Sequence, residues 1–330
     1  MTRTGQTREE WIGAQRERED QAREALVAGV ARLADRQGWA DWLGLVTRLP
    51  HYSLSNQLLL VSQRADVSMV MSAAQWREVG RWPAKGSHAL RIWAPSRRRT
   101  GGAGDEQRPA READPGSRQA PRDERDRPRF VLVPVFDVAQ TEGEPLPSAP
   151  DPVAPPPGQA PAGMWQALVD YATAAGFTVG VGDTGTADGV TNFATATITV
   201  AERGSELAQT LTLAHEIGHM ALHGDPATRD PAGVHRGRAE VQAESVAYLV
   251  AHAYGLQEAA EWHFDYLAHW AARVGTDAGA VVAAEVRETA AGVLSAARPL
   301  LEHLAEACVG FPDPLREPAP PAPAVAVMAR

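Results

Sequence analysis

Ser205-Glu206-Leu207-Ala208-Gln209-Thr210-Leu211-Thr212-Leu213-Ala214-His215-Glu216-Ile217-Gly218-His219 is the stretch that decides how the second half of this chain folds. Leu207, Leu211 and Ala214 recur at three- and four-residue spacing, as a helix packed on one side requires. The run continues through Met220, Ala221 and Leu222 until Gly224-Asp225-Pro226 breaks it. His215 and His219 therefore lie one turn apart on one helical face, where both imidazoles reach a single ion. Zinc accepts two such nitrogens and a third protein ligand, and keeps a fourth position open for water. Glu216, beside the first histidine, is the expected catalytic residue: it takes the proton of the zinc-bound water as that water attacks a carbonyl.

A second helix is expected from about Ala239, carrying Glu240 and Glu244 one turn apart beside the small residues Ala243 and Ala247. Small residues allow two helices to approach, so a glutamate there supplies the third ligand of a two-histidine, one-carboxylate site. Glu240 is read as that ligand and Glu244 as the partner that orients a motif histidine, with the reverse assignment left open. Tyr248 and His223 are both in reach of a role as oxyanion donor. Upstream, Met164 to Ala175 reads as an amphipathic helix and Phe177 to Val181 as a strand. The β-branched run 195–200 reads as a second strand, and as the candidate edge on which an extended peptide substrate would pair.

At 330 residues with 44% hydrophobic content, two domains with real cores are expected, while 25 prolines and 29 glycines imply long unstructured pieces. Cys308 is the only cysteine, which excludes an intrachain disulfide and a cysteine-based zinc site. The charged segment Met1 to Asp20 lacks the apolar core of a secretory signal, and no uninterrupted apolar run approaches membrane-spanning length. A cytoplasmic protein with no membrane partner is the expectation. Residues 96–128 are dense in Arg, Asp, Glu, Gly and Pro and predict a disordered insertion. Residues 141–162 predict a Pro/Ala-rich linker and 311–330 a disordered tail, leaving domains at 1–140 and 163–310.

In the first of these, Thr7 and Glu10 form a capping-box pair ahead of a charged helix. Trp39, Trp42, Leu43 and Val46 make an apolar stripe that stops near Pro50, and a serine-capped helix follows through Leu60. A short helix runs from Ala73 to Val79, and Ala89 to Ala94 alternates as a strand whose expected partner is Phe130 to Phe136. From Asp41 to Arg99 nine basic residues stand against three acidic ones, a local charge of +6 in a chain of −9. A basic face with exposed aromatics, here Trp82 and Trp93, suits single-stranded nucleic acid.

The blocks Tyr52 to Leu60, Gln75-Trp76 with Gly80 and Lys85-Gly86, Ile92 to Pro95, and Val135 to Thr141 together resemble the N-terminal domain of ArdC-type antirestriction proteins. The motif His215 to His219 with Glu240 to Tyr248 resembles the zincin-like domain that follows it there, and is similar to the ImmA/IrrE peptidase family. The resemblance implies an α+β protein: a single-stranded-DNA-binding domain joined to a zinc metallopeptidase that acts on a peptide or protein substrate. The nucleic-acid-binding candidates are Asn56, Arg64, Arg81, Lys85, Arg91 and Trp93, and the metal ligands His215, His219 and Glu240. Two other functions fit the same sequence: a non-catalytic DNA-binding antirestriction protein with a structural zinc domain, and a regulatory peptidase that cleaves a repressor.

Overall fold

The computed structural model describes residues 7–96, 130–146, 157–224, 236–256, 258, 260–264, 267–268, 272 and 279–308. The expected disordered insertion and tail lie outside these residues, apart from Ser96 at the insertion's edge. The first half opens with α1 (Arg8–Arg32), whose start is the expected capping box between Thr7 and Glu10. Asp35 then caps α2 (Arg36–Arg48) and Ser53 caps α3 (Leu54–Gln63). After β1 (Val70–Met71), a second capping box between Ser72 and Gln75 starts α4 (Ala73–Glu78). The strands β2 (Arg81–Pro83), β3 (Leu90–Pro95), β4 (Phe130–Asp137) and β5 (Thr141–Gly143) complete this half.

These strands form two small antiparallel sheets, ordered β1-β4-β3 and β2-β5. The expected pairing of β3 with β4 is present, Leu90 facing Val135 and Pro95 facing Phe130. Two amides on α3 cover the outer edge of β3. Asn56 donates to the carbonyl of Trp93 at 2.9 Å and accepts from its N–H at 2.8 Å, and Gln63 does the same for Arg91. Each amide mimics one residue of a neighbouring strand, so no edge is left unpaired there. The main-chain groups of Arg91 thus point away from Pro134 opposite, whose missing N–H faces the side where β1 reaches only Phe136 and Asp137.

The second half runs α5 (Met164–Ala174), β6 (Thr178–Gly182), β7 (Gly189–Asn192), β8 (Thr197–Ala201), α6 (Glu206–His223), α7 (Arg236–Ala253) and α8 (Gly279–Ala307). Its sheet has the order β6-β8-β7, with β6 parallel and β7 antiparallel to β8. This corrects the expectation for residues 195–200: their strand is central, paired on both sides, and offers no edge. The edges are β6 and β7, and β7, which packs on α6, is four residues in a Gly/Asp-rich stretch that reads as a turn.

One hydrophobic cluster joins both halves, with Trp39, Trp42 and Leu43 of α2 packed among residues of α6, α7 and α8. Trp39 donates its indole N–H to Ser245 on α7 at 2.8 Å, and Arg298 on α8 donates to the carbonyls of Pro50 and Tyr52. The other side of α2 contributes Leu45 and Leu49 to a separate cluster with Leu60, Leu90 and Val135. The expected linker 141–162 is narrower at both ends. Residues 141–143 pair with β2, and Ala160 is buried in the shared cluster. Among the described residues no helix is long and apolar enough to cross a membrane.

Candidate metal centre

Helix α6 begins at the Ser205 cap and carries His215, Glu216 and His219 in its second half, as its apolar spacing requires. Helix α7 crosses it where Gly218 meets Ala243. A Cβ on Gly218 would lie 2.8 Å from the Cα of Ala243, so only glycine permits this approach. That crossing brings Glu240, one turn before Ala243, over the two histidines. The Nε2 atoms of His215 and His219 are 3.1 Å apart, and Oε2 of Glu240 is 3.5 Å from each. Three ligands bound at about 2.0–2.1 Å in a tetrahedron stand about 3.3 Å from one another. The triangle fits a single small cation, and these are the three residues whose donor atoms converge among those described.

Glu244, read from the sequence as the partner that orients a motif histidine, stands beside His215. Its Oε2 is 3.0 Å from Nδ1 of His215, and its Oε1 accepts the backbone N–H of His263 at 2.9 Å. In a neutral His215 whose ring proton sits on Nδ1 and is donated to this carboxylate, the Nε2 lone pair faces Glu240 and His219. Burial pulls the His215 imidazolium down, but hydrogen bonds to Glu240 and Glu244 outweigh it and its pKa is pushed up to about 9. Hydrogen bonds with His215 and His219 hold the Glu240 carboxyl far below the usual carboxylate range. Both shifts reflect the opposite charges that the helix crossing brings together.

Glu216 is buried at 6% exposure and accepts from the Thr191 hydroxyl at 2.6 Å through Oε2. Oε1 has no hydrogen-bond partner among the described residues. It lies beneath Gly189, where a Cβ would stand 2.7 Å away. Glycine at 189 therefore lets β7 lie directly against the motif. The carbonyl of Asp188 accepts from Ala201, so the alternation of an antiparallel pair turns the main-chain groups of Gly189 and Thr191 to the outer edge. Arg203 anchors the approach to this edge by donating to the carbonyls of Gly185, Thr186 and Ala187 and to Asp188. Sequence reading missed Thr191, Gly189 and Arg203 altogether.

The resulting cleft encloses about 700 Å³ between β7, the metal triangle and Trp262-His263. Tyr248 does not line it; its ring packs against Trp262 and Phe264. His223 stands behind His219, its Nδ1 at 3.2 Å from Nδ1 of His219 and its Nε2 at 3.1 Å from Oε1 of Gln242. Neither is placed as an oxyanion donor.

The nucleic-acid candidates do not all present themselves to a ligand. Asn56 has both amide atoms bonded to Trp93, and Trp93 is half-buried against Ala22, Leu59 and Leu132. Arg64 pairs with Asp66 at 2.9 Å and faces buried Asp137. Arg81 is tied to Thr141 and to the carbonyl of Glu144. These side chains make their bonds within the first half of the protein. Trp82, at 51%, and Lys85 are exposed. Arg91, with no hydrogen bond or ion pair from its side chain among the described residues, is held below the usual guanidinium range by burial and by the charge of Arg18.

Residues 177–283 match the family model Peptidase_M78, the IrrE N-terminal-like domain, a segment that runs from β6 through α7 and contains the whole metal triangle. No curated protein matches the chain. Among solved structures it is similar to the antirestriction protein ArdC from plasmid R388. The Mn(II)-bound form is 18% identical, with a TM-score of 0.47 over 77% of this chain and 85% of that one. The metal-free form is 19% identical, with a TM-score of 0.44 over 77% and 86%.

Proposed function

We propose that the chain is a zinc-dependent peptidase whose first half binds single-stranded DNA. The observation that carries the first part is the convergence of His215, His219 and Glu240 beside a buried glutamate and an open strand edge. His215, His219 and Glu240 would hold the ion, and a set of two imidazoles and one carboxylate suits zinc. The ion, when bound, supplies a Lewis acid that acidifies water and polarises the scissile carbonyl. Thr191 holds Oε2 of Glu216, so Oε1 is the atom that takes the proton of the attacking water and passes it to the leaving amine. An extended peptide pairs with the outward main-chain groups of Gly189 and Thr191, which aligns its carbonyl in the cleft. A site of purely structural role has no use for a buried base at position 216, which favours turnover over the non-catalytic reading.

The DNA-binding half of the proposal rests on the sequence resemblance to ArdC-type antirestriction proteins, and an antirestriction role follows from the same resemblance. It is supported by the +6 charge of residues 41–99, by exposed Trp82 and Lys85, and by Arg18 and Arg91, whose charges act on each other and which have no ion pair among the described residues.

Metal content and cleavage measured together test the enzyme. The purified chain should hold about one zinc, and His219→Ala should release it. Glu216→Gln should keep the zinc and lose cleavage of peptide substrates. A wild type without metal, or a Glu216→Gln variant that cleaves at the wild-type rate, refutes the proposal. Zinc retained by a wild type that cleaves nothing would favour a structural zinc domain.

A further inference from the structure

His219 can present Nε2 to an ion only when its ring proton sits on Nδ1, and that atom is 3.2 Å from Nδ1 of His223. Two ring nitrogens at this distance share one hydrogen, so His223 must accept through Nδ1 and carry its own proton on Nε2. Its Nε2 faces Oε1 of Gln242 at 3.1 Å, an oxygen that only accepts. The Gln242 amide is itself oriented: its Nε2 lies 3.5 Å from the carbonyl of buried Thr289 on α8. Turned over, the amide would set oxygen against oxygen. Gly292, one turn along α8, leaves the slot in which this amide sits, since a Cβ there would lie 2.6 Å from Nε2 of Gln242.

We propose that Gln242 and His223 are positioning residues that place the proton of His219 on Nδ1 and so keep its Nε2 lone pair turned to the metal ion. The proposal rests on His215, His219 and Glu240 being the ligands. The two histidines are thus oriented by different means. His215 is turned by the carboxylate of Glu244, and His219 by a neutral chain that starts at Thr289 and Gly292, beyond the 177–283 segment. A neutral chain also adds no further carboxylate to a pocket already lined by Glu216, Glu240 and Glu244.

Zinc affinity of the full chain, measured by competition with a chelator of known strength, tests this. His223→Phe keeps a ring of similar size but removes both nitrogens. Gly292→Ala touches no ligand and displaces only the end of the Gln242 side chain. Helix propensity favours the alanine, and thermal unfolding of the metal-free form checks that the fold is kept. Each variant should bind zinc about 10- to 100-fold more weakly, the range found when the partner of a ligand is removed. His223→Gln should restore most of the loss, because its amide can accept from His219 and donate to Gln242. A wild type that binds no zinc overturns the ligand assignment, and the chain behind it falls too. Tight wild-type binding with His223→Phe and Gly292→Ala within twofold of it overturns the positioning role alone, as does a His223→Gln variant no better than His223→Phe.

Discussion

Gly218→Ala puts the helix crossing on trial, because the metal triangle depends on how closely α6 and α7 approach. The new Cβ would meet the Cα of Ala243 at 2.8 Å, its carbonyl oxygen at 3.1 Å and its Cβ at 3.3 Å. Carbon atoms in good contact stand about 3.5–4.0 Å apart, so the helices must separate by roughly 0.8 Å. Overpacking of this kind costs about 1–3 kcal/mol, of which the better helix propensity of alanine offsets about 1 kcal/mol. The metal-free variant should therefore melt a few degrees lower, at about 2–4 °C per kcal/mol in a large domain. The separation falls on Glu240, which is already 3.5 Å from both histidines and would move beyond the spacing that one small ion can bridge. Zinc binding should weaken by at least about tenfold, or about 1.4 kcal/mol. Ala243→Gly in the same chain should rescue little, since the closest contacts are to backbone atoms that glycine keeps. Thermal unfolding with and without zinc, together with chelator competition, gives the answer. A Gly218→Ala chain that melts and binds zinc like wild type would mean that the crossing does not set the triangle.

Thr191→Val keeps the shape of β7 but removes the 2.6 Å hydrogen bond to Glu216. Zinc content should be unchanged while kcat falls by about tenfold, equivalent to about 1.4 kcal/mol of transition-state stabilisation; an unaltered kcat would remove Thr191 from the mechanism. The full chain should bind single-stranded oligonucleotides in preference to duplex, since stacking on Trp82 needs splayed bases. Replacing Arg18, Lys85 and Arg91 together should flatten the salt dependence by about 2 in the log–log slope, at about 0.7 per phosphate contact on single strands. An unchanged slope places the basic face elsewhere, and no binding at low salt refutes the DNA proposal. The full chain is the right reagent, because a fragment of the first half would expose Trp39 and Trp42, now packed against the second half.

What could be read from the sequence was what the chain decides locally. The capping box at Thr7, the serine cap of α3 and the four-residue spacing of His215 and His219 are short-range signals, and the structure places each in its expected helix. The pairing of β3 with β4 was legible because both strands alternate over six or more residues. The choice between Glu240 and Glu244 was not local. Both lie on one face of α7, and which of them overhangs the histidines depends on the contact of Gly218 with Ala243, a feature of two helices together. The edge strand was missed for a related reason. Gly189-Val190-Thr191-Asn192 is too short for alternation to show, and its first glycine reads as a turn residue until Glu216 is seen beneath it.

The polar side chains of the first half carry the same lesson in the other direction. Asn56 and Gln63 stand seven apart on α3, a spacing that puts two amides on one helical face next to a strand. Pro134 in the facing strand was the companion signal: with no N–H of its own, it marks a register in which the groups of Arg91 must look for partners on the opposite side. Conserving the strand edge and contacting a ligand are both served by exposed polar residues, and composition alone does not separate them. Geometry does. Asn56 and Arg81 have partners at 2.6–2.9 Å within the protein, whereas Lys85 is exposed and the Arg91 side chain has no hydrogen bond or ion pair among the described residues and feels the charge of Arg18. A basic side chain whose charged neighbour is a second arginine gains stability when an anion arrives between them, which is why the search for a phosphate contact belongs at Arg18 and Arg91 rather than at the well-bonded residues beside them.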